Sequence, residues 1–429
     1  MKVKIKNKKQ LAKTKLRKDV LEILEAGLNA IQLKPVLKNK IRVNKNYLII
    51  DNNKFDLNSF EKIGIIGFGK GSLEIAKYLE NTLKNRITGG VIIDLKKEKL
   101  KYLKSYQGTH PLPSFKNQLA SKKLITFAKS LNPSKDLLIA VVCGGGSSLF
   151  FDPLIKPKDF VLITSDLLKS GADISQINIV RKHLSNIKGG KFAKTLYPLK
   201  TLVLVSSDVI GDNLSTIASG PFYPDFSTNQ DALKVLKKYR LLGKYQNKLK
   251  FSETIKDRKY FKNIKHFIIL NNQVALKAME IKAQEINYQP VILTTKFNCE
   301  AKNSYQKIKK MIKGKTAKYN LFLLGGETFV KARGVGKGGR NQEAVLGALK
   351  FIKDNELFIS CASDGIDNTP FAGAIADKLT FKNALKLGLE IDEYLKNNDS
   401  YSFFKQTRDY LLTGFTNSNV SDIMIYYRN

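Results

Sequence analysis

Where the apolar run LLIAVVC stops, the chain reads Gly144-Gly145-Gly146-Ser147-Ser148. Three glycines in succession give up side-chain packing and cost chain entropy, so either the backbone turns sharply or something approaches it closely. A tight turn needs one glycine. Successive glycine amides with serine hydroxyls at a helix start form a nest that can enclose the oxygens of an anion. The nucleophile-elbow pattern G-x-S-x-G is not met, because Leu149 follows Ser148. Carboxylates stand at the ends of other apolar runs, with Asp208 and Asp212 just past TLVLV and Asp364 and Asp367 just past ELFISC. Singly these suit Asx turns. As pairs on one edge of a sheet they are the hard oxygen ligands that magnesium bound to a nucleotide requires, so Asp208, Asp212 and Asp364 are the candidate metal ligands.

Cations and glycines meet in three further stretches. GFGKGS (67–72) follows KIGII and opens a helix, with Asp94 at the end of the next strand, a pattern close to a dinucleotide fingerprint. Ser72 at its sixth position and Lys70 inside the turn, beside Gly69, suit a phosphate or carboxylate better than a nicotinamide dinucleotide. VRKHLSNIKGG (180–190) gathers Arg181, His183 and Lys188, and of the three histidines His183 is the expected site residue. GGETFVKARGVGKGGRNQE (325–343) ends a strand at Glu327, runs through a basic glycine-rich loop and opens a helix with Arg340, Asn341 and Glu343. Charged groups and free amides are expected to converge there, on a mobile loop that closes over a triphosphate.

Short apolar runs alternate with amphipathic stretches along most of the 429 residues. That rhythm predicts α/β architecture with largely parallel sheets, and ligands at the carboxyl ends of strands. Length calls for two domains, 1–245 and 246–429, joined through the polar segment 237–263. A net charge of +37 comes from lysines spread over the whole chain, which is a solvated surface and not a nucleic-acid platform; its use is to attract small anions. No apolar run is long enough to span a membrane, and three cysteines without CxxC spacing read as reduced thiols, so the expected compartment is the cytoplasm. Monomer and homodimer remain equally open.

The blocks GFGKGS, GTHPLPS (108–114), CGGGSSL, VRKHLSNIKGG, SSDVIGDNLSTIASGPFYPD (206–225), GGETFVKARGVGKGGRNQE, ASDGIDN (362–368), NNDSYSFF (397–404) and TGFTNSNVSD (413–422) occur in this order, and with them almost the whole chain resembles the class II glycerate 2-kinases, the family with the MOFRL C-terminal part. The resemblance implies a Rossmann-like N-terminal domain, a cleft between two α/β domains as the site, and ATP-dependent phosphorylation of the 2-hydroxyl of D-glycerate with Mg2+. It makes Lys70 and Arg340 the catalytic cations, while the proton acceptor stays open among Asp208, Asp212 and Asp364. Departures from the family pattern are Phe415 for proline and Asn417 for glycine. The competing readings are an NAD(P)H-dependent hydroxypyruvate reductase, from GFGKGS with Asp94, and a basic nucleic-acid-binding protein, from charge alone.

Overall fold

The computed structural model describes residues 2–429, which divide into two compact units, Leu37–Ile269 and the residues up to Val36 together with Leu270–Asn429. The central unit opens with a small antiparallel sheet of β1 (Ile41–Asn44), β2 (Tyr47–Ile50) and β3 (Asn53–Asp56). Its main sheet holds β4 (Ile63–Phe68), β5 (Ile87–Asp94), β6 (Lys104–Gln107), β7 (Leu137–Cys143), β8 (Lys200–Ser206) and β9 (Ile264–Leu270), in the order β6-β5-β4-β7-β8-β9. The registered pairs from β6 to β8 are parallel. β4 and β7 are buried along their whole length, as continuous β-branched runs between covering helices must be. Because strand order reverses between β4 and β7, the loops leaving these two strands, GFGKGS and GGGSS, open side by side at the carboxyl edge.

The terminal unit carries β10 (Pro290–Phe297), β11 (Leu321–Gly326), β12 (Glu356–Ala362), β13 (Gly373–Asp377), β14 (Tyr410–Leu411) and β15 (Asp422–Arg428), ordered β10-β11-β15-β12-β13-β14. Only β10 and β11 run parallel. The expectation of largely parallel strands therefore holds for the central sheet, while this one is mixed. The cause is the last strand: DIMIYYR enters between β11 and β12 and pairs antiparallel with both.

The boundaries expected at 245/246 move to 269/270, and a second one lies at 36/37. Residues 246–263 belong to the central unit because they are bonded into it: Ser252 N donates to His183 O at 3.0 Å and Thr254 Oγ1 to Asp225 O at 2.9 Å, after which β9 joins the sheet. The first 36 residues belong with the C-terminal half because of one buried cation. The helix Lys15–Ala30 buries Arg17 completely, and its guanidinium donates to Asp377 (2.7 and 2.6 Å), Asp409 (2.7 Å) and Thr380 Oγ1 (2.7 Å). Leu21, Leu24 and Leu28 add the apolar face beside it. Among the described residues no helix is long and apolar enough to cross a membrane, and the three cysteines are free thiols.

Removing one partner of such a cluster leaves buried charge without compensation, a loss of about 3–5 kcal/mol. Arg17→Met keeps most of the volume and removes the charge, so urea denaturation is expected to show a loss of this size; under about 1 kcal/mol would mean that the aspartates are satisfied some other way.

Candidate active site

In the central unit the GGGSS loop is held from three sides. Lys70 N donates to Gly144 O at 2.8 Å, tying the loop after β4 to the loop after β7. Asn117 bonds Thr109 N and Thr109 O at 2.9 Å each and donates to Ser148 O at 2.8 Å, and Ser148 Oγ donates to Pro111 O at 2.6 Å. The GTHPLPS loop is thereby fastened onto the glycines. Lys188, wholly buried, donates to Ser147 O (2.7 Å) and Phe150 O (3.3 Å), closing the short helix Gly146–Leu149 from beneath. The amides of Gly145 and Gly146 donate to no acceptor among the described residues.

Gly145 sits at φ +74, in the left-handed region, and a Cβ built on it would lie 2.9 Å from His110 Cδ2 and 3.1 Å from Lys70 Cε. Asp208 packs against Gly144 so closely that no side chain fits there. Arg181 reaches the loop from the helix Ile174–His183 with one long bond, Nη2 to Ser147 O at 3.5 Å, and its Nε is buried without a partner. Burial lowers the Arg181 pKa to about 10 and lowers that of Lys188 well below the ordinary lysine value, where Arg181 and Lys182 add to the effect. Lys70 makes no ion pair among the described residues and is exposed at the same place. The result is bare backbone flanked by Lys70, His110 and Arg181, with a single carboxylate, Asp208, beside it. Such an arrangement has the chemistry to seat an anion.

Two expectations in this unit are corrected. His183 is fully buried, with Nδ1 bonded to Asn229 Oδ1 (2.8 Å) and Ser252 O (3.1 Å) and Nε2 to Ser227 Oγ (3.1 Å), so it does not face the loop; His110 does. The helix start after GFGKGS is already filled. Asp94 accepts from Gly71 N at 3.0 Å and Leu73 N at 2.9 Å, taking the amides a pyrophosphate would need, which removes the basis of the dinucleotide reading.

The terminal unit gathers its candidates at the start of the helix Arg340–Leu349. Arg340 Nε donates to Asp422 Oδ2 at 2.7 Å and Nη2 to Asp422 Oδ1 at 3.1 Å, while Nη1 pairs with Glu327. Although burial works against it, Asp422, Glu327 and Asp367 raise the Arg340 pKa above its usual value. Burial pushes the Asp422 carboxyl up to about 7 against the pull of Arg340 and Asn341. The amides expected to be free are occupied: Asp367 accepts from Asn341 N (3.1 Å) and Gln342 N (2.9 Å) as well as from both side-chain amides. Asn341 also bonds Asp422 and Ser360, and Glu343 accepts from Asn398 Nδ2 at 2.9 Å. Asp364 accepts from Ile366 N at 3.1 Å in an Asx turn. Asn417 stands at φ +60, a conformation asparagine tolerates where glycine is the usual choice.

The glycine-rich loop also differs from expectation. Asn398 Oδ1 accepts from Arg333 N (2.7 Å) and Gly334 N (3.0 Å), Asn397 Oδ1 from Val335 N (3.1 Å), and Asp399 Oδ1 from Lys337 N (3.1 Å). Gly334, Gly336 and Gly338 lie against the backbone and side chains of 397–400 so closely that a Cβ would collide with them. These glycines admit a neighbouring segment.

No group of three or more His, Cys, Asp or Glu side chains among the described residues could cage a metal. Asp208, against the bare backbone at Gly144, suits an ion that arrives with phosphates and takes only one or two protein carboxylates.

Residues 19–251 match the family described as a domain of unknown function (DUF4147), and residues 320–422 match the MOFRL family. D-glycerate 2-kinase from Thermotoga maritima is 36% identical over 86% of this chain and 91% of its own length. The chain belongs to the glycerate 2-kinase (MOFRL) family. Glycerate 2-kinase from Pyrococcus horikoshii is 32% identical over 96% of this chain and 97% of its own. The crystal structure of glycerate kinase from Thermotoga maritima superimposes with a TM-score of 0.82 at 33% identity, covering 96% of this chain and 99% of that one.

Of the contacts in the terminal unit, Asp367 is the one on which the helix start depends. Asp367→Asn puts an NH2 group against amides that need an acceptor, and a loss of about 2–4 kcal/mol in urea denaturation is expected. A loss below about 1 kcal/mol would show that those amides find other acceptors.

Proposed function

We propose that this member of the family transfers the γ-phosphoryl group of ATP to the 2-hydroxyl of D-glycerate, giving 2-phosphoglycerate and ADP. The observation that carries this reading is the anion seat of the central unit. Arg181 is half-buried with its Nε buried and unpartnered, neither Arg181 nor Lys70 pairs with a carboxylate among the described residues, and Gly145 leaves the backbone open beside them. A partly desolvated guanidinium without a counter-ion is unfavourable, and the carboxylate of glycerate or a phosphate of ATP supplies one. Phosphoryl transfer asks for positioned cations more than for covalent chemistry. In the terminal unit Arg340 is oriented by Asp422 and Glu327, as a cation with a fixed direction must be. Mg2+ brought by the nucleotide would be held by Asp208, with Asp212 the nearest alternative in sequence, and would neutralise charge on the phosphates. The roles given to Ser147, Asn341, Glu343 and Asp364 reduce to shaping the two constellations.

Incubation with ATP, D-glycerate and Mg2+ is expected to yield 2-phosphoglycerate by phosphorus NMR. Exclusive 3-phosphoglycerate, or NADH oxidation with hydroxypyruvate and no ATP turnover, would overturn the assignment. Lys70→Ala and Arg340→Ala are each expected to lose about 10³–10⁵ in turnover, and Arg340→Lys should recover only part because an ammonium cannot reproduce the bidentate contact. Lys70 is the cleaner test, since Arg340→Ala also strands Asp422, and melting temperatures separate the two effects. A folded Lys70→Ala variant that keeps more than roughly a tenth of turnover, under about 1.4 kcal/mol, excludes that residue from the reaction.

Gly145→Val tests the seat itself. The substitution forces a β-branched residue to φ +74 and into His110 and Lys70, so calorimetry should show loss of ligand binding while far-UV circular dichroism is retained. Unchanged affinity for both ATP and D-glycerate would mean that the glycines serve only the turn.

A further inference from the structure

We propose that His110 is the general base of the transfer, its Nε2 taking the proton of the acceptor hydroxyl as that oxygen attacks phosphorus. This rests on the functional reading above. The chain has three histidines, and two are committed elsewhere: His183 has both ring nitrogens bonded inside the central unit, and His266 is packed against Tyr223 and held to the Phe222 backbone. His110 has no hydrogen-bond partner among the described residues. Its Cδ2–Nε2 edge faces the bare backbone, 2.9 and 3.2 Å from where a Cβ on Gly145 would stand. The loop that carries it is fixed on both sides, at Thr109 by Asn117 and at Pro111 by Ser148, so the ring has a defined place and an open nitrogen.

The surroundings decide what that nitrogen does. The charged groups facing His110 are Lys70 and Arg181, and burial together with these two cations lowers its pKa, so near neutral pH the ring is uncharged. With the ring proton on Nδ1, Nε2 is an acceptor. The cations that keep it so are the groups that would seat the anionic substrate, which places the acceptor hydroxyl within reach of the same ring edge. In the step the hydroxyl O–H bond breaks and its proton passes to Nε2, the O–P bond forms, and the bond from the γ-phosphorus to the β,γ-bridging oxygen breaks with its electron pair leaving on ADP. Solvent then removes the proton from the imidazolium. Two of the three carboxylates that compete for this role have other calls on them: Asp208 is packed against Gly144, and Asp364 accepts from Ile366 N.

The test measures kcat and KM against pH for the wild type, His110→Gln and His110→Asn, with melting temperatures for each. Wild-type kcat is expected to fall on the acid side with an apparent pKa below the usual histidine value. The variants should lose about 10²–10⁴ in kcat, keep both KM values within about threefold, and show no histidine limb. On the unaltered protein, diethyl pyrocarbonate should modify one accessible histidine with loss of activity, and D-glycerate should protect it. Turnover within about threefold of wild type, an unchanged acid limb, or a loss confined to the KM for D-glycerate would each overturn the role of His110. A wild type that makes no 2-phosphoglycerate from ATP would instead overturn the functional reading.

Discussion

Both constellations depend on a buried carboxylate that reaches back onto a helix start lacking a cap of its own. The helices Ser72–Leu83 and Arg340–Leu349 begin after Gly71 and Gly339, neither of which has a side chain to accept from the first amides. Such orphan donors must be satisfied from elsewhere when they are buried. Asp94, at the end of the adjacent strand β5, does this for the first helix, and Asp367, in the turn after β12, does it for the second. Burial raises both carboxyl pKa values while the amides they accept from lower them, a balance that holds the carboxylates in place and with them the backbone that presents Lys70 and Arg340. Positive helix-terminus charge adds to the attraction.

The two cations are nevertheless held in opposite ways. Arg340 is matched by Asp422 and Glu327 within the protein, so its direction is set and its charge largely balanced. Lys70 and Arg181 both flank the GGGSS loop and both act on His110, Asp208 packs against Gly144, and the Lys188 side chain is bonded to the carbonyls of Ser147 and Phe150. Cations not matched by neighbouring carboxylates raise the local positive potential, and the wider +37 charge adds to it. The difference suits the central unit to recognition of an incoming anion. It leaves the terminal unit the task of fixing one guanidinium.

How much of this was legible in the sequence depended on whether the deciding interaction was local. Apolar runs ending in glycine or aspartate gave away β4, β5 and β7 and the edge at which their loops open, because strand burial and strand termination are written in consecutive residues. The insertion of β15 between β11 and β12 was not visible, since DIMIYYR pairs equally well in either direction until its neighbours are known. Arg17 was one basic residue among 74, with partners 360 and 392 positions away, and no spacing distinguishes it. His183 is a different case. Nearness to Arg181 in sequence suggests a shared site, yet residues two apart on an α-helix point away from each other, so helix geometry argues against both facing one site. His110 reaches the glycines from a loop that the chain's order sets far from them.

The stretch from Glu327 to Arg340 shows why glycine content by itself leaves two meanings open. Glycine permits motion, and it also permits another backbone to approach to contact distance. Here the second meaning holds, because the segment Asn397–Ser400 occupies the space that side chains at 334, 336 and 338 would fill. Asn398 then does more than line the loop. Its carbonyl oxygen accepts from the amides of Arg333 and Gly334, while its amide nitrogen donates to Glu343, one turn beyond Arg340. One side chain thus joins the loop that enters the helix to the helix itself. Arg340 lies between those two attachments, so the direction of its guanidinium is fixed by the path of the chain on either side as well as by the carboxylates it meets.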